Sequence, residues 1–267
     1  MSDNRPIGIF DSGVGGLTVL SALSARLPNE STLYVGDTAR VPYGNKGAET
    51  ITRYAMEICA FLTASNVKCI VIACNTVSAL SLDALQSSFS VPIIGVIDPC
   101  VKRALEVTRD GNMGIIGTRS TIASHAYQRK LRSCNVVSAA CPLFVPLVEE
   151  MLIEHPATDT LIEHYLSPMK KSGIDTLILG CTHYPLLEKP LMKFFGPDVT
   201  LCSSAGCCAL EVEQALKGSD MFSDSTEPVR KFFVSDDLEQ FKQHAQAFST
   251  LPIENLGQFT VEPLIVP

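Results

Sequence analysis

The chain has 267 residues, of which 46% are hydrophobic, 18% charged and 7% aromatic, with a formal charge of −7 and a pI near 5.3. That composition belongs to a folded protein with a sizeable core and excludes a disordered chain. No Lys/Arg block exists to meet a nucleic-acid backbone, so an anionic small molecule would need a locally built site.

The opening MSDNRPIGIF has no basic segment followed by an apolar core. Apolar runs stay well short of the roughly 20 residues that cross a bilayer. The expectation is a cytoplasmic protein with no membrane contact. Ten cysteines in a chain of this size read as free thiols rather than a disulfide framework. No CxxC occurs, and the adjacent Cys207 and Cys208 are poorly spaced for zinc. No pattern for a metal or an organic cofactor is present, so none is expected.

Short apolar runs alternate with helical periodicity. IGIF reads as a strand, followed by a helix through Leu17, Leu20, Leu23 and Leu27 that ends at Pro28. TLYVG is the next strand, and DTARVPYGNKG a loop. Ile51, Tyr54, Ala55, Ile58, Cys59 and Leu62 recur at helical spacing. CIVIA, a helical stretch through Val77, Leu80 and Ala84, and VPIIGVI complete the first half. This alternation predicts an α/β fold, a parallel sheet with helices on both faces.

The pattern then restarts. MGIIGTRSTI resembles PIGIFDSGVG, aligning Asp11 with Gly117 at an offset of 106, and Cys74 aligns with Cys181 at an offset of 107. Near-equal offsets predict two similar halves. The expected domains are 1–97 plus a returning tail, 206–267, and 98–205. Within the tail, Glu211 to Leu216 reads as helix, FFVSD as strand and LEQFKQHAQAF as an amphipathic helix.

Ligands of open parallel sheets bind beyond the carboxyl ends of the strands. Cys74 and Cys181 both stand at such ends. Two thiols on opposite faces of one carbon suit inversion by proton transfer: a thiolate takes a proton from one face and a thiol delivers one to the other. A cysteine pKa near 8.5 can be tuned into the working range. A strand-end cysteine is also an ordinary core residue. Asn75-Thr76 and Thr182-His183 follow the two cysteines, as recognition groups or as helix N-caps. His183 can help ionise Cys181. Asp11 can do the same for Cys74, or cap the helix after it. DSGVGG lacks both GxGxxG and a P-loop, and its glycines suit backbone approach to a small anion. Pro42 to Gly44 reads as a turn bordering the cleft, and Glu149-Glu150 as a solvated pair or an ammonium contact. Anion binding is expected from backbone N–H groups and hydroxyls, with Arg40 and Arg119 near the cleft as the competing possibility.

FDSGVGGLTVL, YVGDTARVPYG, ACNTVSA, VPIIGVIDP, GIIGTRSTI, CPLFVPLVEE and LGCTHYPLL together resemble the glutamate racemase family, from about Pro6 to Ala205. The resemblance implies a cofactor-independent enzyme that interconverts L- and D-glutamate, supplying D-glutamate for peptidoglycan and hence for cell-wall growth and cell shape. It implies two similar doubly wound, flavodoxin-like domains with the active site between them, in a homodimer. By the same resemblance, Cys74 and Cys181 exchange the proton, Asp11 and His183 assist them, and Glu149 lies near the histidine. Asp11, Ser12, Tyr43, Gly44, Asn75, Thr76, Thr182 and His183 would hold the substrate. LCSSAGCCAL departs from the family pattern at Ser203 and in Cys202, Cys207 and Cys208. The rival readings are a racemase of a related acidic amino acid such as aspartate, and a non-catalytic binding protein on the same scaffold.

Overall fold

The computed structural model describes residues 2–249 and 251–258. The first half runs β1 (Ile7–Asp11), α1 (Leu17–Arg26), β2 (Thr32–Gly36), α2 (Ala48–Ala64), β3 (Cys69–Ile72), α3 (Asn75–Leu80), α4 (Leu82–Ser88) and β4 (Ile93–Gly95). Helix α5 (Ile97–Val107) leads into β5 (Asn112–Gly117), α6 (Arg119–Ala123), α7 (Ala126–Lys130), β6 (Asn135–Ala140), α8 (Phe144–Glu149), α9 (Pro156–Lys171), β7 (Thr176–Gly180), α10 (Glu188–Phe195) and β8 (Thr200–Ser203). Helix α11 (Ser204–Gly218) returns the chain to β9 (Arg230–Val234), α12 (Leu238–Phe248) and β10 (Leu256–Gln258).

Two sheets form, ordered β10-β9-β2-β1-β3-β4 and β6-β5-β7-β8. Every pairing is parallel. The order β2-β1-β3-β4 becomes β6-β5-β7-β8 when each strand advances by four, so the repeat legible in sequence is a repeat of strand order. The α/β class with two parallel sheets is as expected. The expected first domain also spans residues 1, 250 and 259–267, which lie outside the described residues.

Central strands β1, β3 and β7 are buried along their whole length. Helices cover both faces of such strands, which is why they read as continuous apolar runs. Each fully buried Ile or Phe contributes about 1.5–3 kcal/mol of transfer free energy. Ile51, Ala55, Ile58 and Leu62 form the buried face of α2.

Three boundaries differ from the periodicity. VPIIGVI is not one strand: β4 stops at Gly95, Val96 turns into helical geometry and α5 takes the rest. Pro99 is tolerated because it sits in the first turn, where N–H groups have no intrahelical partner. The helix after Cys74 breaks at Ser81, whose φ of −129° is not helical. Helix α11 starts seven residues before Glu211, where the Ser203 hydroxyl accepts from the Ala205 N–H at 3.3 Å.

The tail extends the first sheet, with Tyr34 of β2 opposite Phe232 of β9. Phe241 of α12 stacks obliquely on Tyr34 at 6.1 Å. Buried Lys68 pairs with Glu30 and donates to the Met221 carbonyl at 2.8 Å, tying the end of α11 to the first sheet.

Candidate active site

A cavity of about 530 Å³ lies between the carboxyl ends of the two sheets. Its walls follow the repeat. Ser12 and Gly13 after β1 correspond in the repeat to Thr118 and Arg119 after β5, the 41–45 loop after β2 to the 142–149 segment after β6, and residues 74–76 after β3 to 181–183 after β7; each of these segments contributes residues to the cavity lining. Cys74 and Cys181 enter from opposite sides, 5% and 6% exposed.

The two thiols have different neighbours. The Cys74 Sγ donates to the Ser12 hydroxyl at 3.6 Å. Burial, and then the Asp11 carboxylate, push this thiol up to about 12. Opposite, Cys181 Sγ lies 3.9 Å from Nδ1 of His183, and Nε2 of His183 lies 2.9 Å from Oε1 of Glu149. Burial alone would lower His183, but its hydrogen bonds to Cys181 and Glu149 outweigh that and raise it to about 10. The imidazole is therefore a cation at neutral pH, held between a sulfur and a carboxylate.

Two glycines let the halves meet. A Cβ on Gly15 would collide with His183 and Thr182. A Cβ on Gly44 would stand 2.6 Å from the Thr118 Cβ. Close approach by backbone explains both glycines. Within the DSGVGG loop, Gly15 packs against His183 and Thr182, while Ser12 and Gly13 line the cavity.

Ser12, Tyr43, Gly44, Asn75, Thr76, Glu149, Thr182 and His183 all line the cavity. Asp11 does not. It is fully buried one residue behind the wall, where its Oδ2 accepts from the Gly13 N–H at 3.0 Å. Burial raises the Asp11 carboxyl, with the His183 charge opposing that shift. Asp11 caps no helix: the residue before α1 is Gly16. The capping role is also unfilled at Asn75 and Thr76, because α3 has no side-chain cap. Asn75 instead accepts from the Tyr127 hydroxyl at 2.6 Å and donates to Ser204 Oγ at 3.4 Å. Thr76 shares its hydroxyl with Thr118 at 2.9 Å.

The Tyr43 hydroxyl donates to buried Asp37. Arg40 is held by Asp37 and Glu57 and does not line the cavity, whereas Arg119 does. Glu149 is the member of the acidic pair that faces inward, because the short α8 places it opposite His183. Sequence reasoning missed Thr118 and Tyr165, and the apolar lip of Val41, Leu143 and Val145. Thr118 had one signal: it immediately follows Gly117, the repeat partner of Asp11. Among the described residues no group of three or more His, Cys, Asp or Glu is placed to hold a metal ion, and no helix is long and apolar enough to cross a membrane.

A sequence profile of the Asp/Glu/Hydantoin racemase family matches residues 17–209. The chain belongs to this family of racemases. It is 48% identical to a glutamate racemase of Geobacter metallireducens over 87% of this chain and 88% of that one. Among solved structures, glutamate racemase isoform RacE1 from Bacillus anthracis superimposes with a TM-score of 0.92 at 39% identity, covering 97% of this chain and 98% of that one. The Francisella tularensis glutamate racemase in complex with D-glutamate superimposes with a TM-score of 0.91 at 35% identity, covering 97% and 99%.

Proposed function

We propose that this protein is a glutamate racemase that moves the α-proton between Cys74 and Cys181 without a cofactor. One observation carries the reading: two buried thiols at equivalent places in a repeated fold line one cavity from opposite sides. The named glutamate racemases among its relatives support glutamate as substrate.

In this reading the Cys181 thiolate, paired with the His183 imidazolium, takes the α-proton from one enantiomer. The Cys74 thiol, held neutral by burial, delivers its proton to the other face. The roles reverse in the opposite direction. Cys74 must then carry the negative charge, and the substrate's own ammonium serves as the cation on that side. Hydroxyls of Ser12, Thr76, Thr118 and Thr182, the Asn75 amide and backbone at Tyr43-Gly44 orient the two carboxylates, with Arg119 at the rim. Asp11 acts on Cys74 through its charge from behind the wall. Residues 1–97 with 206–267, and 98–205, would be the two domains. A cytoplasmic homodimer supplying D-glutamate for peptidoglycan is the cellular role that goes with this chemistry.

The test is incubation with L-glutamate in deuterated water, without cofactor, following circular dichroism and Cα deuterium. Loss of optical activity with deuterium in the product is expected. Faster turnover of aspartate would change the substrate, and no turnover of either would leave a binding protein.

A further inference from the structure

The Tyr43–Gly44 turn lines the cavity, but it belongs to a connection, residues 37–47 between β2 and α2, whose only regular structure is two short helical turns at Thr38–Arg40 and Tyr43–Asn45. Local structure of that kind leaves the place of the backbone to longer-range contacts. One buried carboxylate gathers them. Asp37 is the first residue after β2, is fully buried and does not line the cavity. Its N–H donates to the Asp11 carbonyl at 3.1 Å. Its Oδ2 accepts from Nε of Arg40 at 2.6 Å and from the Tyr43 hydroxyl, so one carboxylate grips the connection at two separate residues.

The other oxygen is tied to the returning tail. Strands β2 and β9 pair with Gly36 opposite Val234, which brings Asp37 beside Ser235. The Ser235 hydroxyl donates to Oδ1 of Asp37 at 2.8 Å and accepts from the Ala39 N–H at 2.9 Å. Next to it, the Asp236 N–H donates to the Thr38 hydroxyl at 2.8 Å. Arg40 in turn pairs with Glu57 of α2 and lies over the Tyr54 ring at 4.0 Å. From the second half, Ser120 of α6 donates to the Gly44 carbonyl at 2.9 Å. Hydrogen bonds to a buried charge are stronger than neutral ones, so neutralising Asp37 weakens every hold on this side of the turn.

We propose that Asp37, anchored to the tail through Ser235, is a positioning residue that sets the Tyr43–Gly44 backbone for substrate. The proposal rests on the racemase reading only in taking the bound group to be a carboxylate of glutamate. Among the described residues the tail supplies nothing to the cavity wall, and this tie is its route to the site. Cys74 and Cys181 stand on other segments, after β3 and β7. A displaced turn therefore weakens binding and leaves the proton transfer itself unchanged.

The experiment measures KM, kcat and amide hydrogen exchange in Asp37→Asn, Ser235→Ala and Ser235→Thr. Asp37→Asn should raise KM for both enantiomers about tenfold with kcat held within about twofold, the effect of weakening one hydrogen bond to a charged group. Ser235→Ala should raise KM severalfold, and Ser235→Thr, which keeps the hydroxyl, should restore it. In Asp37→Asn and Ser235→Ala the amides of residues 38–46 should exchange faster while those of β7 keep their protection. Partial unfolding would remove active enzyme, lowering kcat at constant KM. That split, or an unchanged KM, overturns the proposal. A Ser235→Thr variant that behaves like Ser235→Ala overturns the anchoring by the tail. No racemisation by the wild type overturns the glutamate reading instead, and exchange at residues 38–46 then decides whether Asp37 sets the turn.

Discussion

The two sides of the cleft share a backbone plan and differ in their charges. After β3 and β7 the chain places a thiol at the same point, followed by two polar residues. Around Cys181 the third residue is His183, bound on its far side by Glu149. Around Cys74 the third residue is Thr76, bound to Thr118, and the carboxylate close behind is that of buried Asp11. A repeated fold therefore sets where the two sulfurs stand, and unrelated neighbours set the charges around each. Side-chain chemistry has diverged where backbone geometry could not.

Removing either sulfur breaks the comparison outright. Cys74→Ser and Cys181→Ser should each lower glutamate racemisation by about 10²- to 10⁴-fold, the usual worth of a positioned acid or base. Each variant should still exchange the α-proton of one enantiomer in deuterated water. Undiminished racemisation in either would end the two-thiol account.

A finer cut separates the two sides. His183→Asn should cost about 10- to 100-fold in kcat/KM, the loss of one charge-assisted hydrogen bond. Enantiomers have equal free energies, so the fall must be equal in both directions. The asymmetry should appear in the primary deuterium isotope effect, enlarged for the enantiomer whose proton Cys181 removes. Asp11→Asn should enlarge it for the other enantiomer. The same isotope pattern in both variants would mean that the sides are not electrostatically distinct.

The charge on His183 also has a stability signature. Its pKa is raised from 6.5 to about 10, so the folded protein binds this proton more tightly than the unfolded chain. The stabilisation is fully present below the unfolded value and is lost as pH rises through about 10. In urea unfolding, the stability gap between the wild type and His183→Asn should narrow between about pH 6 and pH 10.5, by on the order of a few kcal/mol. A constant gap would place the proton elsewhere.

The smallest effect is expected where backbones touch. Gly44→Ala forces a methyl to within 2.6 Å of Thr118. It should raise KM severalfold and cost about 1–3 kcal/mol of stability. An unchanged KM would show that the 43–44 turn does not hold substrate.

Periodicity made the helices through Ile51 to Leu62 and through Leu238 to Phe248 legible, because each buries one face. It did not reveal β6, an edge strand that is only partly buried along NVVSAA and so lacks a continuous apolar run. The break at Ser81 was hidden for a different reason: its hydroxyl meets Thr52 of α2 at 2.8 Å, a contact no local pattern carries. In the cleft, the repeat offset pointed to Cys74 and Cys181, since strand ends are local features.

The sequence by itself determined the α/β class, the doubling of the plan and the two matched thiols, because apolar period and repeat spacing are properties of neighbouring residues. Tertiary structure alone decided that Asp11 stands behind the wall, that Glu149 rather than Glu150 meets His183, and that Arg40 is taken up by Asp37 and Glu57 while Arg119 faces the cavity. Glu149 meets His183 across 34 residues of chain, and Arg40 meets Glu57 only because α2 packs beside the 38–45 loop; the partner of a buried charge is chosen by distance in space, which the order of residues does not state.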